Sequence, residues 1–266
     1  MGDCREKEVT SASCQRQRNT EVFIASIGYF DRIIKGLKLS DKSLDYTSIF
    51  NSLTADRLEK YRRYKTTMFS DLETVQRYLY NIEISSELNK AIHILEVVLR
   101  NQLSHEWNQF LGCTEWPMNK QGIPATSKFQ RMHTKIDEAV SRAGGSRKNG
   151  KVIAELSFGF WVHLFDSKFD VQNIKLIQKI LPLRKDWDKA LTTEIKKIRD
   201  DFQLINELRN RVAHHEPIFH QKDLDQKYDL IVKYISEINP ACLELVSQSN
   251  FREWRKNKWQ GIKFPF

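Results

Sequence analysis

Residues 187–217 read WDKALTTEIKKIRDDFQLINELRNRVAHHEP, and this stretch decides the fold. Trp187, Leu191, Ile195, Ile198, Phe202, Ile205, Leu208 and Val212 recur at steps of three and four, the period of one helical face. Lys, Arg and Asp fill the positions between them, so the spacing predicts an amphipathic helix of about 28 residues. Pro217 sets its end near His215 or Glu216, because the residue before a proline disfavours helical dihedrals. A second stripe, Leu88, Ile92, Leu95, Leu99 and Leu103, is widened by Ala91, Ile94 and Val98. It predicts a helix buried on more than one side.

Working outward, helical spacing continues at about 54–68, 70–87 (either separate from or continuous with 88–110), 127–143, 151–166, 171–180 and 222–249. Trp116-Pro117 and Gly122-Ile123-Pro124 read as the end of the long helix. The segment 143–150 reads as a glycine-rich basic loop, and Leu181-Pro182-Leu183 as a break between helices. No segment alternates with period two, which predicts an all-α protein. The expected layout is a flexible polar tail at 1–20, one helical domain at 21–250 and a basic aromatic segment at 251–266.

The 266 residues carry 43 Lys plus Arg against 34 Asp plus Glu, a formal charge of +9, which raises nucleic acid as a partner. With 40% hydrophobic and 11% aromatic residues the chain can bury a core, which excludes global disorder. The most apolar window, Leu156 to Phe165, is interrupted by Ser157 and His163, too short for a membrane span. The opening MGDCREKEV has no apolar signal region, and Glu6 stands where a myristoylation signal wants Ser or Thr. Cys4, Cys14, Cys113 and Cys242 form no C-x-x-C pair, the usage of a reducing compartment, so the expected location is the cytoplasm.

Searches for a phosphate loop, a dinucleotide fingerprint or a nucleophile elbow fail. His105-Glu106-Trp107-Asn108-Gln109 starts like a zinc-hydrolase motif but ends in Gln109. His214, His215, Glu216 and His220 lack helical ligand spacing, and neither metal nor other cofactor is expected. What stands out is a repeat: Arg100-Asn101-x3-His105 and Arg209-Asn210-x3-His214. The composition of the chain gives R-N-x3-H a chance expectation of about 0.025 occurrences, and two are present.

On these residues the chain resembles the HEPN domains, helical ribonucleases of prokaryotic defence and toxin systems. It is most similar to their abortive-infection (Abi-like) family. Four blocks carry the resemblance, in the family's order: Leu53–Tyr61 (LTADRLEKY), Leu95–Asn101 (LEVVLRN), Leu156–Trp161 (LSFGFW) and Arg209–Pro217 (RNRVAHHEP). The resemblance implies a HEPN-like bundle with long core helices and helical elaborations. It also implies metal-independent RNA cleavage in phage defence, by a homodimer whose two motifs face one cleft. An antitoxin or non-coding RNA is a further implied partner; no membrane is.

The residue types suit that chemistry independently. RNA supplies its own nucleophile, the 2′-OH, and cleavage by it leaves a 2′,3′-cyclic phosphate and a 5′-OH. Histidine as a residue type titrates near neutral pH, so His214 is the candidate to move protons. Arg209 offers a permanently charged fork matched to phosphate oxygens, and Asn210 an amide able to orient its neighbours. Five residues turn a regular helix by about 140°, so Arg209 and His214 do not share a face. Either His214 sits on a loosened last turn, or two motifs meet. The two are a pair of Arg209/His214 sets across a homodimer, or Arg209/His214 with Arg100/His105 inside one chain.

Structural roles compete with these. Arg209 and His214 fit a helix-end packing pair, and Arg100 fits an ion pair with Glu96 one turn earlier. A non-catalytic RNA-binding protein and a helical interaction scaffold are the alternatives to the enzyme. For RNA binding, the candidates are Arg62 and Arg63 beside Tyr61 and Tyr64, Arg147 and Lys148 in the basic loop, and Arg252, Trp254, Arg255 and Trp259 near the C-terminus.

Overall fold

A computed structural model describes residues 45–64, 66–144, 149–165, 172–185, 187 and 191–256. The protein is all-α. Among the described residues, strand pairing is confined to an antiparallel hairpin of two residues a side, β1 (Arg63–Tyr64) and β2 (Thr67–Met68). Strands that short carry no alternation, so the helix expected over 54–68 instead stops at Arg62. The chain divides into two compact units, Met1–Tyr78 and Leu79–Phe266.

In the first unit, Asp45 caps α1 (Tyr46–Leu53) by accepting the Ser48 N–H at 3.0 Å. Thr54, at φ 65°, turns the chain directly into α2 (Ala55–Arg62). Beyond the hairpin, Ser70 and Glu73 form a reciprocal capping box. The Ser70 N–H donates to Glu73 Oε2 at 2.9 Å and the Glu73 N–H to Ser70 Oγ at 3.3 Å. It opens α3 (Asp71–Leu111), 41 residues and about 60 Å long. Tyr61 packs edge-on against Tyr78, and Arg77 lies over the Phe69 ring at 3.8 Å.

The two apolar stripes expected over 70–87 and 88–110 are therefore one unbroken helix. It stops earlier than Trp116. Gly112, at φ 59°, takes the left-handed position after the helix, and the Cys113 N–H returns to the Asn108 carbonyl at 3.2 Å. Trp116-Pro117 instead opens a short helix, α4 (Trp116–Asn119), where proline costs no hydrogen bond.

The second unit continues through α5 (Gln130–Arg142), α6 (Asn149–Glu155), α7 (Phe158–His163), α8 (Gln172–Ile180), α9 (Leu191–Ala213), α10 (Leu224–Ile238), α11 (Leu243–Val246) and α12 (Phe251–Lys256). The helices expected over 151–166 and 222–249 each break. The first divides at Leu156-Ser157; the second breaks at Asn239, which is extended at φ −154° because Pro240 follows.

α9 buries Ile198, Phe202, Ile205, Leu208 and Val212, the stripe read from the spacing. Phe202 stacks on Phe165 at 4.9 Å and lies tilted against Tyr234 at 4.4 Å between ring centres, while Trp116 joins Trp107, Phe160 and Trp161 in an aromatic cluster. Arg184, buried, joins Glu194 of α9 to Glu237 of α10. Among the described residues no helix is long and apolar enough to cross a membrane.

Candidate RNA-processing site at the end of α9

α9 and α3 run antiparallel. Asn81 of α3 meets the chain at Glu216–Phe219, and Glu96, four turns further along α3, meets Arg209. The Arg209 Nε lies 3.6 Å from Glu96 Oε2, with both side chains partly buried. The pair expected between Glu96 and Arg100 is thus formed with Arg209 instead. Arg100 remains one turn beyond, half-buried, its Nε without a hydrogen-bond partner among the described residues.

The last turn of α9 is not loosened. The His214 N–H donates to the Asn210 carbonyl at 2.9 Å, an ordinary α-helical bond. Termination follows one residue later. His215 adopts φ 55°, its N–H donates to the Val212 carbonyl at 3.0 Å, and the Glu216 N–H reaches back to the Arg211 carbonyl at 2.9 Å. These are the two bonds of a Schellman motif, with histidine at the position that usually holds glycine. The Arg211–Glu216 ion pair at 3.9 Å joins the same two residues through their side chains.

Beyond the cap, Pro217, Ile218 and Phe219 turn inward and are buried. Buried backbone N–H groups need acceptors, and Asn81 supplies one. Its Oδ1 accepts from the Ile218 N–H at 2.7 Å and the Phe219 N–H at 3.2 Å, while its Nδ2 donates to the Glu216 carbonyl at 3.2 Å. Sequence reading missed this residue. A buried Asn on an apolar helix face was the available signal, but its partners lie more than 130 positions away.

The result is a helix end whose chemistry faces outward. Asn210 and His214 are exposed, Arg209 is half-buried against Glu96, and the Arg209–His214 offset retains its 140° turn. α7 backs the same helix. Phe158 meets Phe202 edge-on, and Gly159 lies beside Asn206, where an added Cβ would make ordinary contact with the side-chain amide at 3.6 Å. His214, His215, Glu216 and His220 do not converge into a metal-holding group, nor does any such group occur among the described residues.

The first motif differs in setting. Arg100, Asn101 and His105 lie inside α3, with Asn101 and His105 exposed and Leu103 and Ser104 buried between them. Because the helices run antiparallel, His105 and His214 lie on opposite sides of the Glu96–Arg209 contact. They are offset by about 20 Å along the helix direction.

The cations proposed for RNA binding are largely paired with carboxylates. Arg62 binds Asp71 at 2.7 Å, and Arg63 lies 3.7 Å from Glu59. Arg252 binds Asp229 at 2.7 Å, and Arg255 binds Asp225 through both Nε and a terminal nitrogen. α12 docks through Phe251, which is buried and stacks on Tyr228 at 4.4 Å. Arg147, Lys148 and Trp259 lie outside the described residues, as does the side chain of Trp254.

Compared with protein-family models, with curated proteins and with solved structures, the chain matches none.

Proposed function

We propose that the protein is a metal-independent endoribonuclease of the HEPN, abortive-infection type, acting in phage defence or as a toxin. The supporting observation is a convergence on the last turns of α9. Three of the four segments that carry the resemblance meet there: Glu96 from 95–101 pairs with Arg209, and Gly159 from 156–161 packs beside Asn206. Nothing in sequence distance requires those segments to meet.

In this reading His214 removes the 2′-OH proton or returns one to the 5′-oxygen as it leaves. Arg209 stabilises the charge that builds on the phosphorane, and Asn210 orients the pair. Neither role needs a metal, since the imidazole supplies the proton transfer and the guanidinium the fixed charge. The 140° offset, kept by the regular helix up to His214, supports a cleft built from two copies. In it Arg209 of one protomer and His214 of the partner subunit address one phosphate. Arg100, Asn101 and His105 are then a lesser set, because His105 is some 20 Å from His214 along the helices.

A non-catalytic binding or scaffold role is the second reading. It is favoured by the carboxylates that already neutralise Arg62, Arg63, Arg252 and Arg255. Incubation of purified protein with a cellular RNA pool in EDTA separates the two. Products ending in 2′,3′-cyclic phosphate, absent with His214→Ala at equal helicity, support the nuclease. RNA retention that weakens steeply with salt and yields no product supports the binding role.

A further inference from the structure

The turn after His214 is closed by two backbone bonds of its own, but the chain just beyond it relies on another helix. His215 occupies a left-handed conformation that a side chain disfavours, and Pro217 has no N–H to offer. The next two N–H groups, of Ile218 and Phe219, point to a single side-chain oxygen contributed by another helix. That side chain, Asn81, is only 3% exposed, and all three of its hydrogen bonds go to this one segment of backbone. The pattern demands an amide. Two donors and one acceptor must be met at once from one planar group. A carboxylate would set a second oxygen against the Glu216 carbonyl, and a leucine would leave all three backbone groups unpaired.

We propose that Asn81 is the positioning residue of the Arg209/His214 site, locking from α3 the turn that sets where His214 is presented. The catalytic part of this inference rests on the nuclease reading; the locking of the turn does not. α3 thereby touches the motif helix at two points. Glu96 bears on Arg209 within the helix, and Asn81 holds the chain two to five residues past His214. Both motif residues are referred to one helix, so each protomer presents its arginine and its imidazole at fixed positions to a cleft shared by two copies. That constancy is what a two-group proton-and-charge mechanism requires of its scaffold.

The test compares wild type with Asn81→Leu and Asn81→Asp. Tyr234→Phe serves as a control that removes a different, partly buried hydrogen bond, from Tyr234 to Asp201 at 2.7 Å. Amide hydrogen exchange is read residue by residue, and RNA cleavage as kcat and KM. In Asn81→Leu the Ile218 and Phe219 amides are expected to exchange at least about tenfold faster, while those of 198–208 keep their rates. Its kcat is expected to fall at least about tenfold with KM within about twofold, a loss that Tyr234→Phe does not share. Asn81→Asp is expected to recover both properties as pH is lowered, because a protonated carboxyl again donates to the Glu216 carbonyl. If Asn81→Leu does not fold, Asn81→Asp and its pH recovery carry the test alone.

Wild-type exchange at Ile218 and Phe219 in Asn81→Leu overturns the proposal, as does an Asn81→Asp indifferent to pH. A kcat loss no greater than that of Tyr234→Phe overturns its catalytic part. Accelerated exchange in a protein whose wild type cleaves no RNA overturns the nuclease reading and leaves the locking of the turn established.

Discussion

Arg100–His105 and Arg209–His214 share a sequence pattern and differ in almost every physical respect. The first lies inside a 41-residue helix, where backbone bonds continue on both sides and the chain cannot change direction near His105. The second closes its helix: His214 makes the last regular bond and the chain turns inward at once. The same two helices sharpen the contrast at their C-termini, since α3 ends on Gly112 and α9 on His215, both left-handed. Glycine takes that conformation without strain; histidine does so at a cost of about 1 kcal/mol. α9 therefore retains a second imidazole beside His214 where an unstrained end would have none. A motif is a list of residue types, and its position relative to a helix end decides what those types can do.

The comparison is broken most directly by the two histidines. His214→Ala is expected to lower RNA cleavage at least about 100-fold, and His105→Ala by less than about twofold, in initial rates on one RNA substrate. Equal losses would show that both motifs act. The arginines come next. Arg209→Ala is expected to cost about 100-fold in kcat, whereas Glu96→Gln, which leaves the guanidinium but removes its anchor, is expected to cost only about tenfold.

A smaller effect, on stability, has opposite signs at equivalent positions. His215→Gly relieves the left-handed strain and should raise stability by up to about 0.6 kcal/mol, after allowance for the greater freedom of glycine in the unfolded chain. Glu106→Gly, at the matching place in the first motif, puts glycine in a helix interior and should lower stability by about 1 kcal/mol. Thermal or denaturant unfolding reads both, and like signs would mean the two settings are not as different as described.

The smallest effect expected concerns the stretch of α3 that braces the second motif. Burial, and then the neighbouring Glu87, raise the Glu83 carboxyl above its ordinary value, so the ionised form is disfavoured when folded. At neutral pH this opposes folding, and the opposition is relieved as pH falls through the raised value. Glu83→Gln should therefore melt slightly higher than wild type at pH 7, by a margin that shrinks toward pH 4.

Much of the helical framework was legible because periodicity is local. The buried stripe Ile198–Val212 follows from spacing alone, and Pro217 puts the end of α9 near His215 or Glu216, two or three residues past its last residue, Ala213. Where expectation and structure part, the reason is also local but easily overlooked. Pro240 breaks a run that reads as one helix, Gly112 ends α3 before Trp116, and two-residue strands are too short to announce themselves.

The sequence by itself determined the helical class, the stripes that are buried and the presence of two R-N-x3-H segments in a basic chain. These depend on the order of residue types within a few turns. Tertiary structure alone decided that Glu96 faces Arg209 rather than Arg100, and that Asn81 holds the turn past His214. It also decided that the cations near both ends of the described chain are already paired with carboxylates. Each of these is a contact between groups whose separation along the chain says nothing of their separation in space. Only packing of the apolar stripes brings them together, and hydrogen bonds and ion pairs act over no more than a few ångströms.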